Sequence, residues 1–217
     1  MKRQVWQSGW WRHAQHLPSR NVSPRPPGER VTLAVVHSIS LPPGRYGGDQ
    51  VAQLFTNRLD CSAHPYFDGL RDLRVSAHFF IRRDGRVLQF VSCDERAWHA
   101  GVSSWAGRKD CNDYSIGIEL EGLETTAFEA PQYTALTRLL RSAARRYPVA
   151  AVVGHEHIAP GRKADPGPGF RWRALARQLG RRPAVAPAVL AAHRGSPYQY
   201  ASGSGLPHGD TPDIVSG

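Results

Sequence analysis

Between Gly154 and Phe170 the chain reads GHEHIAPGRKADPGPGF, which places two histidines, a lysine and an aspartate within a dozen residues, framed by Pro160, Pro166 and Pro168. Imidazole nitrogen and carboxylate oxygen both ligate zinc, so His155 and Asp165 form part of a metal-binding set; a zinc site needs at least three protein ligands, so the stretch is incomplete alone. Lys163, two residues before Asp165, can bring a positive charge to the same point. The apolar run Val149 to Val153 leads in and reads as a buried strand. Proline and glycine then predict a loop from Ile158 to Gly169.

Two other strands end near reactive side chains. Val31 to Val36 (VTLAVV) is β-prone and almost continuously apolar, as a central strand would be, and His37 follows it. Ser115 to Glu121 (SIGIELE) alternates, with Ile116, Ile118 and Leu120 on one face and Ser115, Gly117, Glu119 and Glu121 on the other. Neighbouring strand ends of a mixed sheet can converge on one point. His37, His155 and Asp165, brought together, would make a three-ligand zinc site with a position open for water, the catalytic rather than the structural pattern. Glu119, with room left by Gly117 on its own face, suits a general base, and Lys163 suits stabilisation of an oxyanion. These roles are what hydrolysis of an amide by an activated water requires. His78 and His157 are rival ligands. His78 lies within an apolar strand and reads as a core histidine; spacing alone does not choose between His155 and His157. Glu121 reads as a solvated strand carboxylate.

The elements that must position these groups follow from pattern. Residues 1–20 predict a short helix bearing Val5, Trp6 and Trp10, and 21–30 a Pro-rich extended linker. Asp49 to Asn57 suggests a short helix, and Leu59 to Leu70 is irregular. Two apolar runs flank Asp84–Gly85, a strong hairpin signal. Arg96 to Gly107 is a loop of aromatic and small residues. Pro131 to Tyr147 carries apolar or small residues at helical spacing, with proline near its start. Phe170 to Leu179 reads as a final helix. The resulting expectation is an α/β fold: one domain over 31–180 with a central mixed β-sheet flanked by helices, preceded by the helix and linker of 1–30. Residues 181–217 are rich in Ala, Pro, Gly and Ser and predict a disordered tail.

At 217 residues the chain can bury a sizeable core. Its formal charge is +10, carried almost wholly by arginine, since Lys2, Lys109 and Lys163 are its only lysines. No run of five or six like charges exists, which argues for a small acidic substrate over nucleic acid or a membrane surface. Cys61, Cys93 and Cys111 are widely spaced, odd in number and without a CxxC pair, as in a reduced cytosolic protein. The N-terminus lacks the apolar core of a secretory signal, and no stretch approaches the length of a membrane span.

The sequence resembles the zinc N-acetylmuramoyl-L-alanine amidases of the amidase type-2 family, and more closely the AmpD-type enzymes acting on 1,6-anhydro-muramoyl peptides. The resemblance is carried by VVHSISLPPGRYGG (35–48), LFTNRLDCSAHPYF (54–67), LRVSAHFFIRRDGRVLQFV (73–91), RAWHAGVSSWAGR (96–108), CNDYSIGIELEG (111–122) and GHEHIAPGRKADPGP (154–168). It implies one zinc ion held by His37, His155 and Asp165, Glu119 as the catalytic acid/base, and Lys163 as its partner in the transition state. It implies a small anhydro-muropeptide substrate, cleaved between the muramic lactyl group and L-alanine. It also implies a cytoplasmic role in peptidoglycan recycling and, through that, in β-lactamase regulation. Arg74 matches a substrate-contacting arginine, and Trp98 and His99 lie in the loop that lines the groove.

Two positions depart from the family pattern. Ser38 stands where VVHNIS has asparagine, and Asp110 stands where GRxRCND has its second arginine, the position that contacts a distal substrate carboxylate in the family, which leaves Arg108 or Lys109 as candidate substitutes. The competing readings are a non-catalytic peptidoglycan-recognition module, which would lack a zinc ligand, and an amidase of intact wall, which would need an export signal. A nucleic-acid-binding protein would need clustered basic residues.

Overall fold

The two strands expected to carry His37 and Glu119 lie side by side at the centre of the molecule. Leu33–Ile39 and Ser115–Glu121 pair in parallel, with His37 opposite Glu119. The structure is a computed structural model and describes residues 4–180 and 183–192. Seven strands form the main sheet, in the order Ala184–Val185, Ala151–Gly154, Leu33–Ile39, Ser115–Glu121, Phe79–Ile81, Val87–Gln89 and Gln15–His16. All neighbours are parallel except the Phe79–Ile81/Val87–Gln89 hairpin, which is antiparallel across the Asp84–Gly85 turn. The sheet is therefore mixed, as expected.

Helices cover both faces. Ala130–Arg146 and Trp172–Leu179 pack on one face, burying Leu136, Leu139, Leu140 and Leu175 against Leu33, Val35, Phe79 and Ile81. Each fully buried leucine contributes about 2 kcal/mol by leaving water. Gln50–Phe55 and the 3-10 turn Pro65–Leu70 cover the other face, where Phe55 and Phe67 meet Phe80 and Phe90. Phe79 and Ile81 fall in one cluster and Phe80 in the other, as strand alternation requires.

Four expectations are corrected. Residues 4–16 form no helix. Trp6–Gln7 and Trp10–Trp11 are an antiparallel pair joined by Ser8–Gly9, both at positive φ (44° and 74°). Two successive positive φ values define the hairpin turn that Ser-Gly favours, so turn chemistry overrides helical spacing. The indoles of Trp6 and Trp11 are buried beside Phe79, and Trp6 Nε1 donates to Ser142 Oγ at 2.9 Å.

The 21–30 segment is likewise more than a linker. The Arg25 guanidinium donates to the carbonyls of Asp113 (2.7 Å) and Ser115 (2.8 Å), fastening it to the base of the Glu119 strand. All seven residues of Ser115–Glu121 are buried, because this strand is central and covered on both faces. Glu121 is therefore not solvated: its Oε1 accepts from Gly47 N at 2.6 Å and its Oε2 from Arg83 N at 3.0 Å. Finally, part of the expected tail is ordered. Ala184–Val185 adds an edge strand, Pro187–Ala192 is a helix, and Val185 and Val189 join the core. Residues 193–217 lie outside the described part.

Candidate metal centre and active-site cleft

The carboxyl ends of the parallel strands open onto one cleft of ≈ 280 Å³, where His37, His99, Glu119, His155, Lys163 and Asp165 all reach its lining. The Leu33–Ile39 strand carries His37. Ala151–Gly154 ends directly in a one-turn helix, His155–Ile158, whose first residue is the second histidine. The proline-framed loop then returns Asp165 to it, fixed by Glu156 N donating to Asp165 O at 2.8 Å. Adjacent parallel strands place their ends within a few ångströms, which is why residues 118 apart in the chain can meet.

The three side chains are buried, and their candidate ligand atoms lie within 4.8 Å of one another. His37 Nδ1 is 3.0 Å from His155 Nδ1 and 3.1 Å from Asp165 Oδ2, and His155 Nδ1 is 3.2 Å from the same oxygen. The far side of His155 fixes its tautomer. Nε2 faces the Ala100 carbonyl at 3.1 Å, and a carbonyl can only accept, so the proton sits on Nε2 and the Nδ1 lone pair points inward. Two imidazole nitrogens and a carboxylate oxygen converging in this way fit a zinc ion, which has the matching ligand preference and an open fourth position.

Electrostatics favour the same occupant. Burial, with the His155 charge adding to it, lowers His37 to about 4 and keeps it neutral. Burial alone would raise the Asp165 carboxyl, but its contacts with His155 and His37 outweigh it and hold Asp165 below the usual carboxylate range. A neutral His37 imidazole beside an ionised Asp165 carboxylate is a cation-ready set.

Glu119 is 8% exposed. Its Oε2 has no hydrogen-bond partner among the described residues. Burial, reinforced by the Asp165 charge, pushes its carboxyl well above the usual range, while Lys163 pulls it back. A buried carboxyl raised in this way, opening on the cleft, is suited to taking and returning a proton.

The rival histidines are accounted for structurally. His78 is fully buried; its Nδ1 accepts from Gly117 N at 3.0 Å and its Nε2 meets the Glu95 carbonyl at 3.1 Å. His157 Nδ1 accepts from Gly154 N at 3.0 Å, and its ring packs edge-on against Trp172. The remaining expected residues divide. Trp98 lines the cleft and donates from Nε1 to Ser23 Oγ. His99 also reaches the lining, but it is only 4% exposed and its Nδ1 meets His37 Nε2 at 2.9 Å. The space opposite Gly117 holds its ring, not room for Glu119: a Cβ there would lie 2.3 Å from His99 Cγ.

Arg74 and Arg108 do not line the cleft. Arg74 is exposed and turns back onto the carbonyls of Arg71 and Leu73, while Arg108 pairs with Glu29 and lies over Tyr114. Asp110 is exposed and takes a left-handed φ of 56° at the head of the Cys111–Asp113 turn. Ser38 lines the cleft with a buried Oγ. Sequence reading missed Tyr66 and Arg162 in the lining. Neither carries a spacing signal, since Tyr66 arrives in the short Pro65–Leu70 turn and Arg162 in the proline-framed loop.

Comparison with known proteins gives a consistent picture. Residues 27–168 match the family model described as N-acetylmuramoyl-L-alanine amidase. The chain is 53% identical over 166 residues to the 1,6-anhydro-N-acetylmuramyl-L-alanine amidase AmpD of Citrobacter freundii, covering 76% of this chain and 89% of that protein. A crystal structure of a selenomethionine derivative of AmpD superposes with a TM-score of 0.79 at 49% identity, covering 82% of this chain and all of that one. The amidase AmiD from E. coli, solved with the substrate anhydro-N-acetylmuramic acid-L-Ala-D-γ-Glu-L-Lys, gives a TM-score of 0.52 at 34% identity over 69% of this chain and 57% of that one.

Proposed function

Since the chain belongs to the N-acetylmuramoyl-L-alanine amidase family, we propose that it hydrolyses the amide between 1,6-anhydro-N-acetylmuramic acid and the L-alanine of a stem peptide. The observation that carries this reading is the convergence of His37, His155 and Asp165 in the same cleft as Glu119 and Lys163. His37, His155 and Asp165 hold one zinc ion in this reading. Zinc bound there supplies Lewis acidity, which lowers the pKa of a water to about 7 and polarises a carbonyl.

The chain's own residues do the rest. Glu119 accepts the proton of the attacking water on its carboxylate and returns it to the leaving L-alanine nitrogen. Lys163 offsets the negative charge that develops on the carbonyl oxygen. The cleft walls, which include Leu41, Phe55, Tyr66 and Trp98, exclude water and hold the sugar and the first peptide residues. A small wall fragment suits a cleft of this volume, and the presence of the whole reactive set sets the chain apart from a recognition module. Recycling of wall fragments in the cytoplasm, as the AmpD-type resemblance implies, is part of the proposal. No described helix is long and apolar enough to cross a membrane.

The test is a mass-spectrometric assay of the purified protein on an anhydro-muramoyl tripeptide and, separately, on intact peptidoglycan, with and without chelator. Release of free stem peptide from the small substrate, abolished by chelator and restored by zinc, is the expected result. Cleavage of intact wall alone would overturn the recycling assignment, and cleavage of neither by zinc-loaded protein would overturn the enzymatic one.

A further inference from the structure

Both metal-site histidines lean outward on the same two residues. His37 Nε2 meets His99 Nδ1 at 2.9 Å, and His155 Nε2 meets the Ala100 carbonyl at 3.1 Å. We infer that the dipeptide His99–Ala100 is the orienting element of the metal site: it fixes the tautomer and ring position of both histidines, and His99 is a positioning residue rather than a substrate contact. The inference rests on reading His37, His155 and Asp165 as the metal ligands, and goes beyond it.

The tautomers follow from donors and acceptors. If His37 binds through Nδ1, its proton is on Nε2 and is donated to His99 Nδ1. His99 then carries its own proton on Nε2, which lies 3.2 Å from Ser115 Oγ, an available acceptor. The chain His37 to His99 to Ser115 is therefore consistent in one direction, with every nitrogen assigned. On the other side, the Ala100 carbonyl accepts from His155 Nε2 and from Arg162 Nη2 at 3.0 Å, using both of its lone pairs.

The dipeptide is itself held in place. Asn112 Oδ1 accepts from His99 N at 3.1 Å and from Ala100 N at 2.9 Å, and Asn112 is buried in the turn that leads into the Glu119 strand. Gly117 on that strand provides the clearance for the His99 ring. Arg162, from the same loop as Lys163 and Asp165, ties the dipeptide to the remaining ligand. Groups that hold the outer nitrogen of a ligand histidine commonly change metal affinity 10- to 100-fold when removed.

Two substitutions separate this role from packing and from substrate contact. His99→Asn keeps an acceptor where Nδ1 stands; His99→Phe keeps the ring and loses the acceptor. Zinc affinity would be measured on metal-free protein by competition with a chromophoric chelator, and the His37 tautomer on zinc-loaded protein by long-range 15N–1H NMR. The expected result is a 10- to 100-fold weaker affinity for His99→Phe, roughly parental affinity for His99→Asn, and a proton on His37 Nε2 in the parent. Should His99→Phe fail to fold, Ser115→Ala, which removes one hydroxyl, is expected to weaken zinc by roughly three- to tenfold. Unchanged zinc affinity in His99→Phe with a raised KM would overturn the inference in favour of substrate contact. A harmless Phe with a damaging Asn would overturn it in favour of packing. A parent that binds no zinc would overturn the metal-site reading itself, which is a separate failure.

Discussion

Replacing Gly117 by alanine adds one methyl carbon at a point 2.3 Å from His99 Cγ, 2.5 Å from Cδ2 and 2.6 Å from Nδ1. Ordinary contact begins near 3.4 Å, so the ring must retreat by about 1.1 Å. Gly117 lies within a regular strand with no left-handed φ, so the cost is steric alone. His99 is buried, with His37 at 2.9 Å and Ser115 at 3.2 Å, and a retreat of that size breaks both hydrogen bonds. Overpacking costs about 1–3 kcal/mol, and the lost bonds roughly 1 kcal/mol each. A combined loss of about 3–5 kcal/mol corresponds to a fall in Tm of roughly 6–20 °C for a chain of this size. The assay is thermal unfolding of metal-free Gly117→Ala by circular dichroism, paired with zinc titration of the folded variant. The expected outcome is the lower Tm together with zinc affinity reduced about 10- to 100-fold, since His37 loses its outer partner. A variant with parental Tm and parental affinity would refute the argument that Gly117 is required by the approach of His99.

Other perturbations address the chemistry, the charge state and the N-terminal segment. Glu119→Gln is expected to keep zinc and lose about 10²- to 10⁴-fold in kcat, and Lys163→Ala to keep zinc with reduced turnover, whereas His37→Ala loses both; full activity in either of the first two removes the proposed mechanism. His78 has its folded pKa lowered to about 3, by burial first and then by the Arg25 charge. It therefore stabilises the fold fully above the unfolded value of 6.5, and this contribution declines by up to about 1.4 kcal/mol per pH unit as pH falls toward 3. The Tm of metal-free protein should thus drop between pH 6.5 and 5, before most carboxylates titrate, and a flat Tm across that window counts against a neutral buried His78. Trp11→Ala, at a residue 1% exposed, should cost about 3–5 kcal/mol in chemical denaturation; a loss under about 1 kcal/mol would mean that the N-terminal hairpin is not part of the core.

The sequence by itself determined the elements and the chemistry available at their ends. Apolar runs located the His37 and His155 strands, alternation located the Glu119 strand, Asp84–Gly85 located the hairpin, and helical spacing over 131–147 located Ala130–Arg146, because periodicity reports which face of a local segment is buried. Periodicity says nothing about which loops meet. His37 and His99 are 62 residues apart, and His37 and His155 are 118 apart, so their contacts depend on strand order.

Only the tertiary structure decided the rest. It turned Glu121 from a solvent-facing residue into a buried anchor for Gly47 and Arg83, because loops close over the central strand's end. It tied His99 to a ligand histidine and left Arg74 and Arg108 outside the cleft. It also assigned His157 and His78 to backbone amides, which separates them from His155. A histidine's role is set by what its second nitrogen touches, and that partner comes from elsewhere in the chain.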